Sequence, residues 1–254
     1  AGRAAVRIII SPAKQMRADR DSLEPRSLPA LLDKAERLRK YIGGLSFEDQ
    51  KRLWACNEKI AQENHERFLD MDLRRGLTPA ILSYDGIQYK YMSPSVFETG
   101  ELDYIEEHLR ILSGYYGVLR PMDGVTPYRL EMQARASVDG HKDLYDFWGR
   151  SLYEEVMDDS RIIINLASKE YSRCIEKYLG PEDRYISCIF GELSGERVVK
   201  KGVYAKMARG EMVRWMAQNR ETNVEQLRRF DGLGFVYDPD RSTSNNDVFL
   251  QGGT

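Results

Sequence analysis

Arg161-Ile162-Ile163-Ile164-Asn165-Leu166-Ala167-Ser168-Lys169 is the stretch that sets the fold class. A short β-branched run that breaks off in small polar residues reads as a buried strand, here Arg161–Ala167, feeding a turn. The run has a twin near the start of the chain: Val6-Arg7-Ile8-Ile9-Ile10 stops at Ser11-Pro12-Ala13-Lys14. Apolar residues in succession, rather than in alternation, mark strands covered on both faces, the habit of parallel sheets. Each strand leads to a hydroxyl and a lysine, Ser11 with Lys14 and Ser168 with Lys169. Ligands of open α/β sheets sit beyond the carboxyl ends of strands, and a helix N-terminus there suits an anion. Two ordinary strand-to-loop turns are the plain alternative.

Outward from these strands the pattern is mixed. Leu31–Ile42, Phe47–Cys56 and Ile60–Leu69 read as helices, with Ser46 as an N-cap and Asp49 at N3. Ala80–Tyr84 reads as a strand, Asp85-Gly86 as a turn and Gln88–Tyr91 as a returning strand. Leu102–Leu112 and Leu144–Met157 read as helices, the second capped by Asp143. Ser168 caps Lys169–Tyr178. Tyr185–Leu193 and Arg197–Tyr204 form a hairpin around Ser194-Gly195. Ala205–Asn219 is an amphipathic helix, Thr222–Glu225 a capping box for a short helix to Phe230, and Phe235–Tyr237 and Val248–Leu250 are strands. Ser11–Pro29, polar and without period, is a long loop. The expected fold is α/β (mixed α+β): a mixed sheet clad by helices in a single compact domain spanning 1–254. Ala1–Ala5, without an initiator Met, is expected to be an added or disordered terminus.

Size and composition narrow the function. A chain of 254 residues, 42% hydrophobic and 31% charged, has the profile of a soluble globular protein. No apolar run approaches the ~20 residues of a membrane span. Val6–Ile10 is too short for a signal peptide. Cys56, Cys174 and Cys188 are far apart and form no C-x-x-C, which fits a reduced cytoplasm. A net charge of −2 argues against indiscriminate coating of nucleic acid but leaves room for a segregated basic cleft. Segregation is visible: Glu98–Glu107 carries acids alone, whereas Glu196–Arg214 gathers Arg197, Lys200, Lys201, Lys206, Arg209 and Arg214. On the Ala205–Asn219 helix Lys206 and Arg209 fall near one another, with Arg214 offset; set beside Lys200 and Lys201 they form either a solvated face or a wall that tracks phosphates.

Leu112-Ser-Gly-Tyr-Tyr-Gly-Val-Leu-Arg-Pro121, followed by Pro127-Tyr-Arg-Leu-Glu-Met132, is the second informative region. Gly114 and Gly117 permit positive φ, while Arg120 and Arg129 present planar donor forks from a rigid turn. Several motifs can be set aside. Ser11-x-x-Lys14 matches the nucleophile motif of penicillin-binding enzymes, but Ser-Asp-Asn and Lys-Thr-Gly are absent. Gly114-x-x-Gly117 lacks the Gly-Lys-Ser/Thr of a Walker loop. His65, His108 and His141 have no zinc-type spacing, so no metal and no cofactor is expected. Phe230-Asp-Gly-Leu-Gly234 looks like the Gly-hydrophobic-Gly turn of helix-hairpin-helix elements, yet a strand-like run follows it.

Ile10-Ser-Pro-Ala-Lys14, the two motifs of the preceding paragraph, Asp143-Leu-Tyr-Asp-Phe-Trp-Gly149, Ile164-Asn-Leu-Ala-Ser168 and Tyr204-Ala-Lys-Met-Ala-Arg-Gly210 occur in this order, followed by Phe235, Ser244-Asn245 and Val248-Phe249. Together they resemble the YaaA peroxide-stress family (UPF0246), from Val6 to about Leu250. The resemblance implies a cytoplasmic bacterial protein that limits iron-dependent oxidative damage under hydrogen peroxide. It also implies a compact α/β fold with a basic cleft, a helix-hairpin-helix-like element and DNA as the partner. The matching positive positions are Lys14, Arg110, Arg120, Arg129, Lys142, Lys206, Arg209 and Arg214. The first reading is therefore DNA binding by shape through phosphates, not catalysis, with no membrane and no stable metal as partners. The alternative is an enzyme acting on a nucleotide or nucleobase in a closed anion pocket, lined by Ser11, Lys14, Arg129, Glu131 and Asn165, with Glu131 as acid or base. In either case Tyr115, Tyr116 and Tyr128 would stack a base.

Overall fold

The computed structural model describes residues 6–251; Ala1–Ala5 and the last three residues lie outside that range. Eight strands form one sheet: β1 (Arg7–Ile10), β2 (Leu109–Ser113), β3 (Gly117–Leu119), β4 (Ile162–Leu166), β5 (Arg184–Ser194), β6 (Arg197–Val199), β7 (Phe235–Tyr237) and β8 (Asn246–Gln251). Their order is β7-β8-β5-β4-β1-β2-β3, with β6 added to β5. The five central strands are parallel. β7, β3 and β6 are antiparallel additions. The twin runs are neighbours, Ile8 opposite Ile164 and Ile10 opposite Leu166. Ile8, Ile9 and Ile10 are all 0% exposed, as their unbroken apolar run requires.

Several expected elements change type. The helix expected over Leu102–Leu112 ends at His108, and Leu109–Ser113 becomes β2, hydrogen-bonded to β1. Every residue of β2 is buried. A run covered on both faces has no period to tell strand from helix, so its pairing with Ile8–Ile10 decides. Ala80–Ser83 is a single helical turn, and Ile87–Met92 is a helix, not a returning strand. Tyr84–Asp85 pairs instead with Gln15–Met16 inside the long first loop. Ile87–Met92 packs against the helix Gly202–Asn219, where Gly210 lets the two backbones touch. Gly149, at φ +53°, divides Leu144–Met157 into Leu144–Trp148 and Ser151–Val156.

The turns behave according to their glycines. Gly117, at φ +80°, turns β2 into β3. Gly114 lets the backbone of Leu130–Met132 lie against it: a β-carbon there would stand 2.5 Å from the Leu130 carbonyl oxygen. This turn joins two strands, and Gly232–Gly234 leads from a 3-10 turn into β7. Neither glycine turn is a helix-hairpin-helix.

Candidate functional site

The chain runs from β1 to β2 on one side and returns on the other through β4, β5 and β8. β1 and β4 are thus adjacent strands whose onward connections diverge, and a crevice opens beyond their carboxyl ends at this switch point. The sequence twins meet there. The Ser168 amide donates to Ser11 Oγ at 2.8 Å, and the two hydroxyls are 3.1 Å apart. Ser168 stands at the N-cap of Lys169–Glu176, but its hydroxyl serves this cross-strand contact and not its own helix. The Ser11 carbonyl accepts from Gln88 Nε2 (3.1 Å) and the Tyr89 hydroxyl (2.8 Å), which fixes the Ile87–Met92 helix over the strand end.

The crevice encloses about 400 Å3. Five segments wall it: Ser11–Gln15, Asp85–Tyr89, Tyr128–Glu131, the first turn of Lys169–Glu176, and Lys206 with Arg209 from Gly202–Asn219. Lys14 Nζ lies 3.2 Å from Glu131 Oε1 while its side chain stays 70% exposed. Arg129 spends only Nε, on the Trp54 carbonyl at 3.1 Å. Arg209 is half-buried with Nε unpartnered, and burial lowers its pKa against the opposing influence of Cys188. Among the described residues Arg129, Lys206 and Arg209 have no carboxylate within ion-pair distance. Glu170 is the contrasting group. Its Oε2 is buried without a hydrogen-bond partner, and its pKa is raised, first by burial and then by the charge of Glu131. Tyr89, Tyr128 and Tyr171 supply the aromatic wall. The Tyr128 hydroxyl is held by Tyr84 (2.7 Å) and Ser113 (2.6 Å), and burial pushes its pKa up to about 12.

The family described as peroxide stress protein YaaA matches residues 6–241, which include every wall of the crevice. This chain belongs to that family. It is 53% identical to a UPF0246 protein of Agathobacter rectalis over 244 residues, 96% of this chain and 98% of that one. A UPF0246 protein of Lachnoclostridium phytofermentans is 51% identical over 247 residues, 97% of each chain. One from Pediococcus pentosaceus is 46% identical over 246 residues, 97% of this chain and 98% of that one.

Of the cations expected of a YaaA-family cleft, Lys14, Arg129, Lys206 and Arg209 converge, and Ser11 and Glu131 join them. The other four lie elsewhere. Arg110 is buried and donates to the carbonyls of Glu106 and Leu109. Arg120 pairs with the buried Asp123 at 3.1 Å. Lys142 and Arg214 do not line the crevice. Asn165 shapes the turn after β4, accepting from the Ala167 amide and donating to Ser187. Lys169 pairs with Glu176, outside the crevice wall. Tyr115 and Tyr116 are 0% exposed, packed on one another and on Tyr128, so neither offers a ring face to a base.

Glu170 and Tyr89 went unnoticed in the sequence. Glu170 directly follows Ser168-Lys169, so its place in the first turn of a helix after a strand was the available signal. Tyr89 was hidden by reading its helix as a strand. Among the described residues no three His, Cys, Asp or Glu side chains are grouped to hold a metal ion, and no helix is long and apolar enough to cross a membrane. The three histidines are engaged separately, with Gln50, Val6 and Asp146.

Proposed function

We propose that the protein serves the response to peroxide stress by binding one nucleotide-sized, phosphate-bearing ligand in the switch-point crevice. The observation that carries this reading is the convergence of Lys14, Arg129, Lys206 and Arg209, from three separate parts of the chain, on a single space of about 400 Å3. That volume lies in the ordinary range for small-molecule sites, roughly 300–1,000 Å3. A space of that size is matched to a single nucleotide and not to the length of a duplex. Arginine forks suit a phosphate, and the tyrosine wall suits a base. The DNA reading has less support, because Arg110 and Arg120 are spent on internal contacts and do not extend the basic track.

Calorimetry with nucleoside 5′-monophosphates and with a short duplex separates the two. Saturable binding of a monophosphate, weakened at least tenfold by Arg129→Ala or Arg209→Ala, is the expected result. Duplex binding that monophosphates do not compete away, with a log–log salt slope of about −0.9 for each of several phosphates, would overturn it.

A further inference from the structure

We propose that the crevice hydrolyses the N-glycosidic bond of a nucleoside monophosphate, with Glu170 as the acid that protonates the departing base and Glu131 as the carboxylate beside the sugar. This rests on the nucleotide reading of the site and adds a reaction to it. The starting point is two carboxyl groups brought to one crevice by different elements and placed in different surroundings. Glu131, on the loop after Tyr128, is ion-paired with Lys14 at 3.2 Å. Glu170, in the first turn of Lys169–Glu176, keeps one carboxyl oxygen buried and unpartnered. Burial first, and then the neighbouring Glu131 charge, raise its proton affinity, against the opposing pull of the Gln133 amide, the Tyr171 hydroxyl and the Met132 amide. One carboxyl paired with a cation and another with a buried, unpartnered oxygen, both lining one crevice, form an arrangement that divides the roles of acid and base.

The division of charge selects the bond. Carboxylates beside a reacting phosphoryl group would repel it. They complement the positive charge that develops on a sugar ring when its bond to a base breaks. The unpaired cations, Arg129, Lys206 and Arg209, then act on the phosphate as a handle that positions the sugar and not as the reacting centre. Tyr89, Tyr128 and Tyr171 provide the apolar surface a base requires.

The step balances. The bond between the anomeric carbon and the base nitrogen breaks, and its electron pair stays on the nitrogen, which takes the proton of Glu170. Water adds its oxygen to the anomeric carbon and gives a proton to Glu131. Free base and sugar phosphate leave, and the proton on Glu131 returns to Glu170 through solvent.

The test follows two readouts on the full chain. Calorimetry measures binding of the common ribo- and deoxyribonucleoside 5′-monophosphates and of 8-oxoguanosine 5′-monophosphate, a product of the oxidative chemistry the family counters. Chromatography of the same mixtures measures released base. Base release by the wild type is expected, falling roughly 10²–10⁴-fold in Glu170→Gln and in Glu131→Gln while binding stays within a few-fold. Retained binding also shows that both variants are folded. Monophosphate binding with no base released from any of them overturns the hydrolysis and leaves the nucleotide reading standing. No binding at all overturns both. Release that survives Glu170→Gln overturns the assignment of the acid.

Discussion

Replacing Gly210 by alanine tests whether helix packing sets the geometry of the crevice. Gly210 lies in Gly202–Asn219, one residue after Arg209 and one helical turn after Lys206. A β-carbon there would overlap the Gln88 carbonyl oxygen and stand 3.0 Å from both the Gln88 carbonyl carbon and the Met92 amide. Backbone, unlike a side-chain tip, cannot swing aside, so the two helices must part by about an ångström. Overpacking of this kind costs about 1–3 kcal/mol. In a domain of this size that lowers Tm by roughly 2–4 °C per kcal/mol. The same displacement carries Lys206 and Arg209 away from Gln88 and Tyr89, which clamp the Ser11 carbonyl. Anion affinity should therefore fall with stability. Gly202→Ala is the control: it lies in the same helix, has no atom within 4 Å of the added carbon, and should leave both quantities near wild type. Thermal melting and calorimetry on the two variants make the comparison. If Gly210→Ala melts within a degree of wild type and binds as tightly, the close contact is not what positions the cations.

Three further outcomes follow from named contacts. Glu170→Gln should raise Tm near neutral pH. The folded pKa of Glu170 is raised above the ordinary 4.5, so its favourable contribution is full below that value and is lost as pH rises through the folded pKa; melting curves from about pH 4 to about pH 8 should show the gain vanish at the acid end. Arg120→Ala should destabilise by about 1–3 kcal/mol, because it strips the buried Asp123 of its cation, whereas Arg129→Ala should weaken anion binding with little change in Tm; a reversed pattern would place the site elsewhere. Gly117→Val should cost about 1–3 kcal/mol in backbone strain alone at φ +80°, with further loss from a β-carbon 2.8 Å from the Trp148 ring; unchanged urea denaturation would contradict the turn geometry.

Local chemistry was written in the sequence wherever a segment carries its own signal. β1 and β4 were legible because β-branched runs ending in Ser-Pro or Ala-Ser need no partner to be recognised. Ser46 and Asp143 cap their helices as their spacing demands, accepting the amides of Asp49 and Asp146 at 3.1 and 2.8 Å. Gly195, at φ +65°, turns a hairpin where one was expected, but its second strand stops at Val199 instead of Tyr204, and the helix Gly202–Asn219 takes over. Tertiary structure decided whatever depended on a distant partner. Leu109–Ser113 is a strand because β1 offers it a ladder, and Ile87–Met92 is a helix seated on Gly210, which no window around either could reveal. The crevice shows the same division. The sequence supplied an inventory of cations, and only the fold separated Lys14, Arg129, Lys206 and Arg209 from Arg110 and Arg120, because burial and pairing are properties of neighbours far along the chain. Glu170 stands out only once the fold buries it and brings Glu131 near, since a carboxyl's proton affinity is set by the solvent and charges around it and not by its place in the sequence.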